Sequence, residues 1–260
     1  MAIRGILRNE VVPVAGATLV GRGLISGEYD GKKLLDLSRL ECLQTINRSK
    51  CTISIGACVT FRAIESNRSL GALAAAARGV GGPAIRNRAT IGGNLASART
   101  DGDGCVALLA FPSSVELANH TRGCRVVSID QFFGMREGDT AALDDELITT
   151  ISLPDKWRSA WREVGVRKGS SHSIVCGAAG MSTAGEVRIA LGGVADTVLR
   201  IRAAEEEIQR SGGTESSISR AQQAVADTVK PTSNWRASAA YRSAMGVVIV
   251  GRLLTDLLRQ

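Results

Sequence analysis

Two glycine clusters frame the part of this chain best suited to hold a phosphate. A run that reads as helix, Leu70 to Val80, stops at Gly81-Gly82-Pro83. After a short basic segment a second pair, Gly92-Gly93, stands between Thr90-Ile91 and Asn94. Glycine lets backbone N–H groups converge on a ligand without intervening side chains, and convergent N–H groups suit phosphate oxygens. A Gly-Gly pair between polar residues is also what an ordinary turn looks like, so the spacing alone leaves both readings open. The remaining inventory is thin. His120 and His172 are the 2 histidines, and neither lies near an acid or nucleophile in sequence; His172 reads as a surface-loop residue. No Ser/His/Asp triad and no metal-ligand cluster can be assembled, so no residue is assigned as catalytic and none as a metal ligand. The 6 cysteines (Cys42, Cys51, Cys58, Cys105, Cys124, Cys176) contain no Cys-x-x-Cys pair, which argues against a zinc or iron–sulfur site held by this chain alone. Each reads as a small buried hydrophobe. Any redox chemistry is then a bound cofactor's.

The elements that would position these residues are short. Val11 to Val14, Lys33 to Leu37 and Thr52 to Ala57 read as strands, with Ala15-Gly16-Ala17-Thr18 a turn after the first. Thr60 can cap a helix running to about Glu65. Val115 to Leu117, Arg125 to Ile129 and Leu147 to Leu153 continue the strand pattern, and Pro154-Asp155-Lys156 ends the first half. Trp161 to Arg167, Ile174 to Met181 and Glu186 to Leu191 then read as a three-stranded antiparallel meander. Three helices follow: Ile201 to Arg210 with glycine past its end, Ser217 to Val229 stopped before Pro231, and Ala237 to Leu258 with Tyr241, Met245, Val248, Leu253 and Leu257 as a buried stripe. Strands followed by helices imply an α+β unit with its helices on one side.

Composition narrows the class. A hydrophobic fraction of 44% with 22% charged residues describes a globular protein, and aromatics at 3% leave the cores to Ala, Val, Ile and Leu. The net charge of +7 comes from 32 basic and 25 acidic residues spread along the chain, without the basic block a nucleic-acid binder would show; an acidic partner subunit or cofactor phosphates are better candidates. Met1 to Glu10 carries Arg4, Arg8 and Glu10 and no continuous apolar region, so no secretory leader is expected. No apolar run is long enough for a membrane span. A cytoplasmic location and reduced thiols follow as expectations.

The residues from Gly79 to Leu95 (GVGGPAIRNRATIGGNL) resemble the signature of the FAD-binding medium subunits of molybdenum hydroxylases, of the carbon monoxide dehydrogenase and xanthine dehydrogenase type. Other landmarks fall in the family's order. Asn94 to Asp103 resembles its Asn-x-Ala-Asn-Ala-Ser-Pro-x-x-Asp, Asp130-Gln131-Phe132-Phe133 its Asp-x-Phe-Phe turn, and Glu146 to Pro154 its closing strand. Arg236 to Arg242 resembles its Arg-x-Ser-x-x-Tyr-Arg.

The resemblance implies an α+β fold: a two-part PCMH-type FAD-binding domain over residues 1–154, divided near residue 57, then a C-terminal domain over 155–260 with a three-stranded antiparallel sheet and a three-helix cluster. It implies FAD with its pyrophosphate between two glycine loops, Ala15-Gly16-Ala17-Thr18 and Thr90-Ile91-Gly92-Gly93-Asn94. Asp103 then lies near the sugar-phosphate chain, where a helix N-cap is the competing reading, and Ile148 or Leu147 lies near the adenine, where plain core competes. Molybdopterin and [2Fe–2S] would reside on a large and a small partner subunit, with electrons leaving to NAD, a quinone, oxygen or another acceptor. Two departures stand out in the first loop. The family usually shows Ala-Gly-Gly-Thr-Asp, and here Ala17 replaces the second glycine and Leu19 the acid. Arg99-Thr100 also replaces its Ser-Pro. A stand-alone flavin oxidoreductase and a flavin-free scaffold retaining the fold are the alternatives.

Overall fold

The computed structural model describes residues 10–97, 99–100, 102–138, 145–167 and 172–259, with backbone alone over 135–138. Most of the segment read for a leader (1–9), Ala98 and Asp101 of the asparagine motif, and residues 169–171 before His172 lie outside the described residues.

The chain opens with β1 (Val11–Val14), α1 (Val20–Ile25) and β2 (Lys33–Asp36), the two strands pairing in parallel from Val11↔Lys33 to Val14↔Asp36. This small unit rests on a satellite core of Leu37, Leu43, Cys58 and Leu147, against which Ala15 and Leu35 pack. Next come β3 (Ile46–Arg48), β4 (Thr52–Gly56), α2 (Phe61–Ser66), α3 (Ala72–Gly79), α4 (Pro83–Arg86), α5 (Ile91–Ser97) and α6 (Asp103–Leu109). Thr60 caps α2 as its type predicts, its hydroxyl accepting from Ala63 N at 3.3 Å. Then follow β5 (Ser114–Asn119), β6 (Gly123–Ser128), α7 (Ile129–Gly138) and β7 (Leu147–Pro154).

These strands form a five-stranded sheet in the order β3-β4-β7-β5-β6. Its central strand β7 alternates strictly between buried and half-buried residues, the pattern of a strand with one face on the core. The expected division near residue 57 needs correction. β4 pairs with β7 from Thr52↔Pro154 to Gly56↔Thr150, so a cut at 57 would separate strands that belong to one ladder. The small unit ends before β3.

The second half holds β8 (Trp157–Gly165), β9 (Ser173–Ser182), β10 (Val187–Gly192), β11 (Leu199–Arg200), α8 (Arg202–Ser211), α9 (Glu215–Thr228) and α10 (Ala239–Arg259). The expected meander β8-β9-β10 is present, with the two-residue β11 added beside β10. α8 ends as read, at Gly212 with φ 69°. The stripe on α10 is shifted from its expected phase. Arg242, Gly246, Ile249, Val250, Leu253 and Leu257 are buried, whereas Tyr241 is exposed and Met245 and Val248 are half-buried.

Helices cover this sheet on both faces. α10 lies on one side, where a Cβ on Gly177 would stand 2.7 Å from Ile249. On the other side lie α3 and α6 of the first half: Cys176 and Ala178 of β9 share a core with Leu73, Ala77, Val106 and Leu109, and Gly180 meets the carbonyl of Ala110. That double cover explains why every residue of β9 but the last is buried. A charge cluster closes the seam. Asp130 on α7 accepts from Arg188 of β10 at 3.0 Å, Arg200 of β11 at 3.1 Å and Arg202 of α8 at 3.2 Å, while Arg200 also pairs with Glu205 at 2.8 Å. Burial alone would raise the Asp130 carboxyl, but the hydrogen bonds and charges of Arg200 and Arg188 outweigh it and hold it below the usual carboxylate range.

Candidate functional site

The second glycine pair is not a loop. Residues 91–94 form the first turn of α5, because Thr90 supplies a cap: its hydroxyl accepts from Gly93 N at 3.2 Å and its carbonyl from Asn94 N at 3.0 Å. Ile91 donates to Val59 O at 3.0 Å and Gly92 to Ala57 O at 2.9 Å. Four of the five N–H groups expected to face a phosphate, those of Ile91 to Asn94, therefore have acceptors within the chain.

The two glycines have different reasons to be glycine. Gly92 is buried, and a Cβ there would stand 2.6 Å from that of Ala57, so it is required by packing. Gly93 is exposed, and a Cβ there would meet only the Thr90 hydroxyl, at 3.0 Å. The sequence offered no way to separate them.

The turn after β1 has the opposite character. Among the described residues, the backbone N–H groups of Gly16, Ala17, Thr18 and Leu19 take no intramolecular acceptor, and the chain re-enters hydrogen bonding when Gly21 N donates to Ala17 O at 2.8 Å. Ala17 has φ 60°, the only positive value at a non-glycine among the described residues. The backbone thus makes a left-handed turn of the kind that favours glycine and imposes it on an alanine. Gly16 lies flat on the next segment, and a Cβ there would overlap the carbonyl of Arg88. The fold accordingly brings both glycine clusters together, with Gly16 resting on the two residues that precede Thr90.

Further backbone bonds tie this junction to the sheets. Ala57, which accepts from Gly92, donates to Thr149 O on β7 at 2.9 Å. Thr60 and Thr90 bridge the segments leading into α2 and α5, and Phe61 N donates to Ala89 O at 2.9 Å. Cys58, beside Ala57, is buried under the first loop, and burial pushes its thiol up to about 11, with Asp36 and Cys42 adding to the shift.

Asp103 lies at the start of α6 and is 7% exposed. The N-cap reading is overturned, since Gly102 occupies that position. The Asp103 carboxylate instead accepts from the Ser173 hydroxyl at 2.9 Å, a partner 70 residues away that sequence reading missed; a serine opening a strand carries no local signal. Asn94 sits against the same helix start, with Cys105 Sγ 3.5 Å from its Oδ1. A Cβ on Gly104 would stand 2.6 Å from that oxygen.

Leu147 and Ile148 point to opposite faces of β7. Leu147 is buried in the satellite core below Ala15, the plain-core reading, whereas Ile148 is half-buried against the main core. His120 and His172 are exposed, as expected of residues outside the site. The cysteine expectation holds for Cys58, Cys105 and Cys176; Cys42, Cys51 and Cys124 are exposed, on a short 3-10 helix (Glu41–Leu43), a hairpin and an edge strand. No helix among the described residues is long and apolar enough to cross a membrane.

Comparison with known proteins gives the family. A family described as "FAD binding domain in molybdopterin dehydrogenase" matches residues 3–156, and "CO dehydrogenase flavoprotein C-terminal domain" matches residues 160–257. The xanthine dehydrogenase FAD-binding subunit of Escherichia coli O157:H7 is 30% identical over 224 residues, covering 81% of this chain and 76% of the relative. The nicotinate dehydrogenase FAD-subunit of Eubacterium barkeri is 31% identical over 245 residues, covering 87% and 81%. A solved carbon monoxide dehydrogenase from Hydrogenophaga pseudoflava that lacks the Mo-pyranopterin moiety superposes with a TM-score of 0.88 at 26% identity, over 99% of this chain and 93% of that one.

Proposed function

Because the chain belongs to the FAD-binding subunits of the molybdopterin dehydrogenases, we propose that it works as the electron-transfer flavoprotein of a multi-subunit hydroxylase. In this reading it receives electrons from a [2Fe–2S] subunit, which takes them from a molybdopterin-bearing large subunit. The residues present fit the cofactor. The N–H groups of Gly16, Ala17, Thr18 and Leu19, open among the described residues, are a run of backbone donors suited to a diphosphate, and this is the observation that carries the reading. Gly93 leaves bare backbone beside them, at the positive end of α5. The backbone donors of Ile91 to Asn94 are engaged internally, so that segment contributes shape and dipole more than hydrogen bonds. Asp103, fixed by Ser173, accepts from hydroxyls of the sugar-phosphate chain, and Ile148 provides an apolar contact for the adenine. FAD supplies the chemistry when bound: it takes up two electrons and passes them on singly or as a pair. The chain's role is to hold and orient it. NAD, a quinone or oxygen serves as acceptor, and the cytoplasm is the expected compartment.

Purified protein should show flavin absorbance and release FAD, not FMN, on denaturation, as the family's FAD-binding domain implies. Gly93→Val should abolish FAD binding with little change in melting temperature, because the added side chain points away from both cores. A Gly93→Val protein that binds FAD normally defeats this placement. Ala17 and Leu19 favour one competing reading, a flavin-free scaffold. Colourless protein that cannot be reconstituted with FAD would establish it. Isolation of the untagged protein from its native source tests the complex, with a lone monomer as the contrary result.

A further inference from the structure

One side-chain amide at the candidate site is held, through its oxygen, by a neighbouring helix. Asn94, in the first turn of α5, is half-buried against the start of α6. Its Oδ1 lies 3.5 Å from the Sγ of Cys105, which is fully buried. The same oxygen fills the space over Gly104, where a Cβ would stand 2.6 Å from it. A thiol hydrogen requires an acceptor, and of the two ends of a carboxamide only the oxygen is one. The oxygen therefore faces inward. Among the described residues Nδ2 meets no acceptor, and it is not sealed from solvent.

The backbone donors of Ile91 to Asn94 are engaged within the chain. The NH2 of Asn94 is a pair of donors that the same segment still presents. A freely rotating carboxamide would lose its rotamer freedom on meeting a ligand, whereas a clamped one has lost it already. Clamping also fixes the sign of the contact, since a carboxamide turned over would offer an anion its oxygen.

We propose that Gly104 and Cys105 are positioning residues for the cofactor, acting through Asn94. Gly104 leaves room for the carboxamide oxygen and the Cys105 thiol fixes it. The nitrogen is thereby presented as a neutral donor to a diphosphate oxygen of FAD. This rests on the functional reading above, with Asn94 in the flavin site. Gly104 is a poor helix former in a buried turn, and the seat of the Asn94 oxygen gives it a reason. A Cβ there would also stand 3.0 Å from Phe61 and 3.2 Å from Ile91, so the test separates packing from positioning.

FAD affinity of the full chain, stripped of bound flavin, is measured by flavin fluorescence beside melting temperature. Gly104→Ala displaces the oxygen and should weaken FAD binding on the order of ten-fold. In an Asn94→Ala background the same substitution should change binding about two-fold or less, while its effect on melting temperature persists. Cys105→Val should weaken binding likewise. Cys105→Ser, which keeps a donor, should recover most of the loss even though its hydroxyl is buried. Asn94→Asp, presenting oxygen where nitrogen stood, should bind FAD more weakly than Asn94→Ala. Additive effects of Gly104→Ala and Asn94→Ala overturn the proposal, as does a Cys105→Ser protein that binds no better than Cys105→Val. So does Asn94→Asp with wild-type affinity. Wild-type protein that takes up no FAD sinks the functional reading instead. The seat is then decided without cofactor, by NMR relaxation of the Asn94 side-chain NH2. It should be rigid in the wild type and released in Gly104→Ala; equal mobility in both overturns it.

Discussion

Gly16 and Ala17 are adjacent small residues under opposite constraints. Gly16 cannot accept a Cβ because the Arg88 carbonyl occupies its place; Ala17 carries one in a backbone region that favours glycine. Gly16→Ala should therefore lift the first loop off the Arg88 segment and cost about 2 kcal/mol or more. Ala17→Gly should relieve strain and stabilise by about 0.5–1 kcal/mol, the gain reduced by the greater freedom of an unfolded glycine. Thermal unfolding of both variants measures this, and equal melting temperatures would contradict the assignment. Cys58 gives a second expectation. Its folded thiol, at about 11, lies above the unfolded value of about 8.5, so its contribution is complete below about pH 8.5 and is lost as pH rises toward about 11. Urea unfolding at pH 7, 9 and 10.5 should show alkaline weakening that Cys58→Ala diminishes. In the folded protein iodoacetamide should label Cys42, Cys51 and Cys124 and spare Cys58, Cys105 and Cys176.

At the scale of elements, α7 is tied to the second sheet chiefly through one carboxylate facing three guanidiniums. Replacing it by an amide leaves Arg188 and Arg200, both largely buried, without that counter-charge. Asp130→Asn should cost about 1–3 kcal/mol, the buried-pair figure discounted for the partial exposure of Asp130. Its carboxyl is held low, so the pairing is intact above about pH 4 and fails as acid takes the pH below that. The acid limb of a stability profile should flatten in the variant; an unchanged limb would place the acid sensitivity elsewhere. Strand periodicity, the Thr60 cap and the Gly212 terminus made most elements legible in the sequence, because their causes are local. β11 escaped, being two residues long and defined only by its neighbour β10. The α10 stripe was misjudged by a fraction of a turn, since which face is buried depends on the sheet beneath. At the site, glycine content marked the right segments. Whether Gly92 or Gly93 faces open space, and which serine meets Asp103, are set by chain segments distant in sequence.

Across the whole molecule, the two halves share a core through β9, with α10 on one face and α3 and α6 on the other. Neither half can satisfy its apolar surface alone. The protein should unfold in a single transition whose calorimetric and van't Hoff enthalpies agree. Residues 1–154 and 155–260 produced separately should be insoluble or lack fixed tertiary structure. Gly180→Val, which would push into the Ala110 carbonyl, should lower stability by about 3 kcal/mol or split the transition in two. Two independent transitions in the wild type would show that the shared core contributes little.

The small residues Gly177, Ala178, Ala179 and Gly180 at the centre of β9 also set the terms on which related proteins could exchange segments. A chimaera joined at Pro154 looks natural, since the chain there passes between β7 and β8. It would nevertheless place one parent's α3 and α6 on another parent's β9, where the fit has no slack for a single added methyl. Grafts from a relative should succeed when both helices travel with the strand, even though that requires three separate crossovers. In this architecture the unit of inheritance for packing is discontinuous along the chain, and recombination guided by linear boundaries alone would break it.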